Sequence, residues 1–74
     1  MGKNQHVVSH GEGWAVMPEG AQAPIAVFKT QREAWERAKS IARRERAEAL
    51  LHGRNGLIRV HNAYSPDLRR PIKS

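Results

Sequence analysis

A chain of 74 residues without a single cysteine can be held together neither by disulfides nor by a thiolate zinc site, and it suits a reducing, intracellular setting. No apolar run approaches the roughly 20 residues of a membrane span. The opening stretch MGKNQH lacks the apolar segment of a signal peptide. The expectation is a soluble, cytoplasmic protein with no membrane contact. Acids are scarce: seven stand against thirteen lysines and arginines, for a formal net charge of +6. That balance favours polyanions or acidic protein surfaces without choosing between them. No catalytic or cofactor motif stands in the sequence, so neither an enzyme nor a cofactor is expected.

What is present begins with Thr30–Ala47, TQREAWERAKSIARRERA, the one segment long and periodic enough to form a helix. Thr30 can accept from the N–H three residues on while Glu33 reaches back, the reciprocal capping box. At about 100° per residue Ala34, Trp35, Ala38, Ile41 and Ala42 share an arc of roughly 120°, the apolar stripe of a helix lying on a sheet. The end is expected near Arg46, where no glycine is available for the left-handed position that commonly closes a helix. Lys39, Arg43, Arg44 and Arg46 leave the second half cationic, which suits the helix macrodipole and also offers a contact for nucleic acid.

The remaining segments are short and strand-like. Gln5–His10, Trp14–Met17 and Ile25–Phe28 read as three strands, joined by a turn at Gly11-Glu12-Gly13 and a loop bracketed by Pro18 and Pro24. After the helix, Asn55-Gly56 between two apolar runs predicts a type I′ hairpin. That turn pairs Arg54 with Leu57, Gly53 with Ile58, His52 with Arg59, Leu51 with Val60 and Leu50 with His61. Ala49, Leu51, Ile58 and Val60 then form the core face. Leu50, His52, Arg54, Leu57, Arg59 and His61 form the other. By alternation Trp14, Val16, Ile25 and Val27 point to the core, leaving Ala15, Met17, Ala26 and Phe28 on the open side. The expected fold is α+β: one domain over residues 1–64, an antiparallel sheet of about five strands with one helix on one face, in the order β-β-β-α-β-β. Residues 65–74, with Arg69, Arg70 and Lys73, read as a flexible basic tail.

Chemistry finds little purchase. His6 and His10 on one strand stand about 13 Å apart, too far to share an ion. His52 and His61 are diagonal neighbours on the hairpin, but no third ligand accompanies them. Ser9, His10 and Glu12 lie on a short surface hairpin with no pocket on which a triad could converge. Gly11-x-Gly13 is a turn and precedes no helix, unlike a phosphate-binding loop.

Three motifs in order, His10-Gly11-Glu12-Gly13-Trp14-Ala15-Val16, Thr30-Gln31-x-Glu33-Ala34 and His52-Gly53-Arg54-Asn55-Gly56-x-Ile58-Arg59, resemble the small prokaryotic family catalogued as domain of unknown function 2188. The resemblance runs from about Val7 to Tyr64. It implies a compact unit of strands around one helix and carries no activity with it. The sequence departs from that family's pattern at Arg46, where relatives tend to have glycine, and at Leu57, where they tend to be polar.

The expected function is a small basic binding module that is not an enzyme. It docks a protein partner, or a second copy as a homodimer, through the open sheet face formed by Leu50, His52, Arg54, Leu57, Arg59, His61 and Phe28. The alternative is nucleic-acid binding, with Arg54, Arg59, Lys39 and Arg43 on phosphates, Arg69 and Arg70 as accessory cations, and His52, His61 or Phe28 stacking on bases.

Overall fold

The computed structural model describes residues 2–64. The expected flexible tail, with Arg69 and Arg70, lies outside the described residues. Six elements follow one another: β1 (Gln5–His10), β2 (Gly13–Pro18), β3 (Ala26–Phe28), α1 (Gln31–Glu45), β4 (Glu48–His52) and β5 (Ile58–Ala63). They form one five-stranded sheet in the order β3-β2-β1-β4-β5, with the helix on one face.

The expected order β-β-β-α-β-β and the α+β class are observed. The sheet is mostly antiparallel, with one exception. β1 and β4 run parallel, pairing Gln5 with Ala49, His6 with Leu50 and Val7 with Leu51. The crossover explains it: α1 leaves the β3 edge, passes over β2 and β1, and delivers β4 to the far side of β1.

The helix starts as its sequence dictates. The Glu33 N–H donates to Thr30 Oγ1 at 3.1 Å, and the Thr30 N–H donates to Glu33 Oε1 at 3.3 Å. Its stripe of small residues lets it lie close to the sheet, burying Ala34, Ala38, Ile41 and Ala42 against Val7, Trp14, Val16, Ala49 and Leu51. Trp35 closes the flank, partly buried, with Lys39 Nζ 5.6 Å from its ring centre.

The end of the helix resolves the missing glycine. Arg46 itself adopts the left-handed conformation, φ 57° and ψ 44°. Its N–H donates to the Arg43 carbonyl at 3.3 Å and the Ala47 N–H to the Ala42 carbonyl at 2.8 Å, the paired bonds of a Schellman motif.

Three sequence expectations are corrected. First, the β4–β5 turn is not type I′, which needs positive φ at both central residues. Gly56 N–H closes onto the Gly53 carbonyl at 2.9 Å, so Arg54 and Asn55 are central, and in this stretch only Gly56 has positive φ, at 87°. This is a type I turn followed by a glycine bulge, a three-residue loop. It sets Gly53 opposite Leu57, through an N–H to carbonyl bond of 2.8 Å, and His52 opposite Ile58. A second irregularity, at Arg59, restores the expected register, so Leu51 does face Val60 and Leu50 does face His61.

Second, β3 shows the opposite face to the one expected. Trp14 pairs with Phe28 and Ala15 with Val27, and directly paired residues share a face. Phe28 therefore packs on the core, while Val27 is 53% exposed. Ile25, expected in the core, precedes the strand and is 55% exposed.

Third, Ile58 and Val60 are not core residues. The shift at Arg59 sets Ile58 opposite His52, on the face away from the helix, while Val60 keeps the helix side but lies past the flank of a helix that packs across β1, β2 and β4 and touches β3. Ala49 and Leu51 on β4 are buried, whereas Ile58 is 55% and Val60 38% exposed.

Candidate functional site

The register defines the face that the helix leaves open. β1 contributes His6 and Val8, β2 contributes Ala15 and Met17, β3 contributes Val27, β4 contributes Leu50 and His52, and β5 contributes Ile58 and His61. Ala15 is buried at 1% exposure even here, because Val8 and Val27 flank it on the neighbouring strands. A shallow apolar strip thus crosses the sheet, interrupted by imidazoles. Among the described residues, no element packs over it.

The parallel β1–β4 pairing brings together two histidines that no local pattern joins. His6 Nδ1 lies 2.9 Å from His52 Nε2, with ring centres 5.2 Å apart. His6 Nε2 lies 3.0 Å from Glu19 Oε1, and His52 Nδ1 lies 3.5 Å from the Gly56 carbonyl oxygen. The hydrogen-bond roles follow from the acceptor at one end. His6 donates from Nε2 to the carboxylate and accepts at Nδ1 from the N–H of His52. The bond from His6, with a weaker one from the Asn4 amide, holds the Glu19 carboxyl below its ordinary value.

The other histidines stand apart from this chain. His61 Nε2 meets Glu48 Oε1 at 2.6 Å. His10 is exposed at the end of β1, and neighbouring Ser9 points to the opposite face of the sheet. Among the described residues, no group of three or more histidines and acids converges as metal ligands would.

The structure separates the expected binding residues. Leu50, His52 and His61 do share the open face. Leu57 sits at the hairpin tip, 68% exposed. Arg54 turns away from the face. Its guanidinium donates to the carbonyls of Gly11 at 3.1 Å and Glu12 at 2.9 Å, and stacks 4.6 Å from the Trp14 ring centre. Arg59 is carried to the helix side by the bulge, where it donates to Gln31 Oε1 at 3.2 Å. The Gln31 amide in turn donates to the His52 carbonyl at 3.3 Å. Phe28 belongs to the core. Lys39 pairs with Glu36 at 3.1 Å, and Arg43 lies 5.3 Å from the Tyr64 ring centre.

Sequence reasoning missed His6, Glu19, Val27 and Ile58. The signal for the first two was the strand order, which no local pattern encodes. It also missed a cleft between the N-terminal segment and the second half of the helix, walled by Gln5, Pro18, Ile25 and Ile41 and rimmed by Lys3, Arg37 and Arg44.

Fold and site together define a class: a small α+β domain whose single helix covers one side of a five-stranded sheet and leaves an apolar, imidazole-bearing side uncovered. The chain belongs to the family described as "Uncharacterized protein conserved in bacteria (DUF2188)", whose profile matches residues 5–64. It is similar to the "Uncharacterized protein YdaT" of Bacillus subtilis (strain 168), with 41% identity over 58 residues. That match covers 78% of this chain but only 39% of the relative. The chain thus spans about two fifths of the length of the curated relative that it matches. No solved structure matches the chain. No helix among the described residues is long and apolar enough to cross a membrane.

Proposed function

We propose that this domain is a docking module that takes a protein partner on the open sheet face, over the strip running from Val27 through Leu50 to Ile58. The observation that carries the reading is the asymmetry of the sheet. Its helix side is filled by a close-packed stripe of alanines, while its other side keeps Val27 and Ile58 more than half exposed. Exposed apolar side chains on a sheet face that no described element covers, interleaved with polar groups, are the kind of surface that serves interaction sites. The net charge of +6 favours a partner that is acidic around its rim.

Nucleic acid is the weaker reading. Arg54 and Arg59 are tied to backbone and side-chain acceptors of the domain itself, and Lys39 is paired with Glu36. Contacting phosphate would require releasing these bonds.

The test compares two equally exposed isoleucines. Ile58 lies on the open face and Ile25 on the helix side, each at 55% exposure. The full chain is recovered from its cells as wild type, Ile58→Glu and Ile25→Glu, and co-purifying proteins are quantified. A partner lost with Ile58→Glu and retained with Ile25→Glu is the expected result. Equal recovery with both variants would remove the open face from consideration. Sedimentation of the wild type identifies the case in which the partner is a second copy.

A further inference from the structure

The sheet has two edges, and they differ in a way that bears on how a partner would bind. β3 is three residues long, a short edge of the kind that resists pairing. β5 is six residues long, contains no proline, and carries Arg59 as its one lysine, arginine or acid. Its irregularity is confined to the hairpin end, and from Val60 to Ala63 its pairing with β4 is regular.

The hydrogen-bond phase says which backbone groups this edge presents. Tyr64 N–H donates to the Ala47 carbonyl at 2.9 Å. In an antiparallel ladder, residues alternate between facing the partner strand and facing away. Asn62 and Val60 therefore bond to β4. His61 and Ala63 direct their N–H and C=O groups outward, where no strand lies among the described residues. Natural edges of this length are usually blunted by lysine, proline, a bulge or a covering element. Among the described residues, the regular part of β5 has none of these.

We propose that the outer edge of β5 receives an extended, acidic segment of a partner protein as a sixth strand, bonded to the backbone of His61 and Ala63. The inference rests on the docking reading above and specifies its geometry. An added strand continues the sheet, so its side chains run beside Ile58 and His61 on the open face and beside Val60 and Asn62 on the other. Exposed Ile58 and Val60 favour β-branched residues at some positions of the segment. The acidic character follows from the +6 charge of the chain and from Arg59 being the one lysine, arginine or acid in β5. It also disfavours a second copy, which would bring another +6 to the same edge.

The experiment uses the full chain and a heptapeptide alternating glutamate with valine, beside its counterpart alternating lysine with valine. Amide hydrogen exchange is followed by NMR. Binding of the acidic peptide with slowed exchange at the His61 and Ala63 amides is expected, and the lysine peptide should leave both unchanged. Ala63→Pro removes one outward N–H and none of the β4–β5 bonds, and it should weaken the acidic peptide by about tenfold. If that variant does not fold, the wild-type exchange pattern still decides. Absence of new protection at His61 and Ala63, equal response to the lysine peptide, or protection that depends on protein concentration alone would each overturn the proposal. The docking reading is separable: a natural partner lost with Ile58→Glu and kept with Ala63→Pro leaves docking on the face in place and removes strand addition.

Discussion

Glu19 shows how much one exposed side chain can owe to a pairing far away in sequence. Its carboxylate is the acceptor that orients His6, and through His6 it orients His52, so a residue from the β2–β3 loop sets the hydrogen-bond direction of an imidazole on β4. The His6 bond, then the Asn4 amide, lower its pKa from the ordinary 4.5. A carboxyl whose folded value is depressed adds stability above its unfolded value and loses that contribution as pH falls through the folded one. The melting temperatures of wild type and Glu19→Gln should therefore differ above the ordinary carboxyl value of 4.5 and converge as pH falls further below it. Because Glu19 is largely exposed, the difference will be small. Equal melting temperatures at every pH, or a gap that persists undiminished well below 4.5, would contradict the assignment.

At the level of elements, the helix terminus and the hairpin each close by a device the sequence only half displays. A non-glycine residue in the left-handed region costs roughly 1–2 kcal/mol, and glycine there would give back about 0.5–1 kcal/mol through its freedom in the unfolded chain. Arg46→Gly should thus raise the melting temperature by about 3–6 °C, while Arg46→Val, with its branched Cβ, should lower it. A fall with Arg46→Gly would mean that the arginine side chain contributes more than its backbone strain costs. The capping box and the apolar stripe were legible because both depend on contacts three and four residues apart. The hairpin was legible as a hairpin, and its inner pairs Leu51–Val60 and Leu50–His61 were correct. Its tip was not, because the longer loop and the Arg59 bulge offset each other, and only their difference affects the alternation of apolar residues. The face of β3 was illegible for another reason: Ile25, Ala26, Val27 and Phe28 are all apolar, so period two had nothing to distinguish, and only pairing to β2 decided it.

For the molecule as a whole, the deciding relation is between total charge and where the charges are spent. A chain with a net charge of +6 is attracted to any polyanion at low ionic strength, so retention on nucleic acid at low salt would by itself say little. The salt dependence says more. Each phosphate neutralised contributes about −0.9 to the slope of log Kobs against log salt concentration on duplex DNA. A dedicated interface recruiting Arg54, Arg59, Lys39 and Arg43 together with the rest of the helix would give a slope of about −5 or steeper. In the fold, however, Arg54 locks the hairpin tip to the β1–β2 turn, Arg59 ties β5 to the start of the helix, and Lys39 is paired with Glu36. These cations are distributed around the domain and bound to it. The expected slope in a duplex titration is therefore no steeper than about −3, the response of a diffuse basic surface. A slope near −6, with Arg54→Ala and Arg59→Ala each reducing it by about 1, would transfer the site from the open sheet face to a nucleic-acid surface built from the same hairpin.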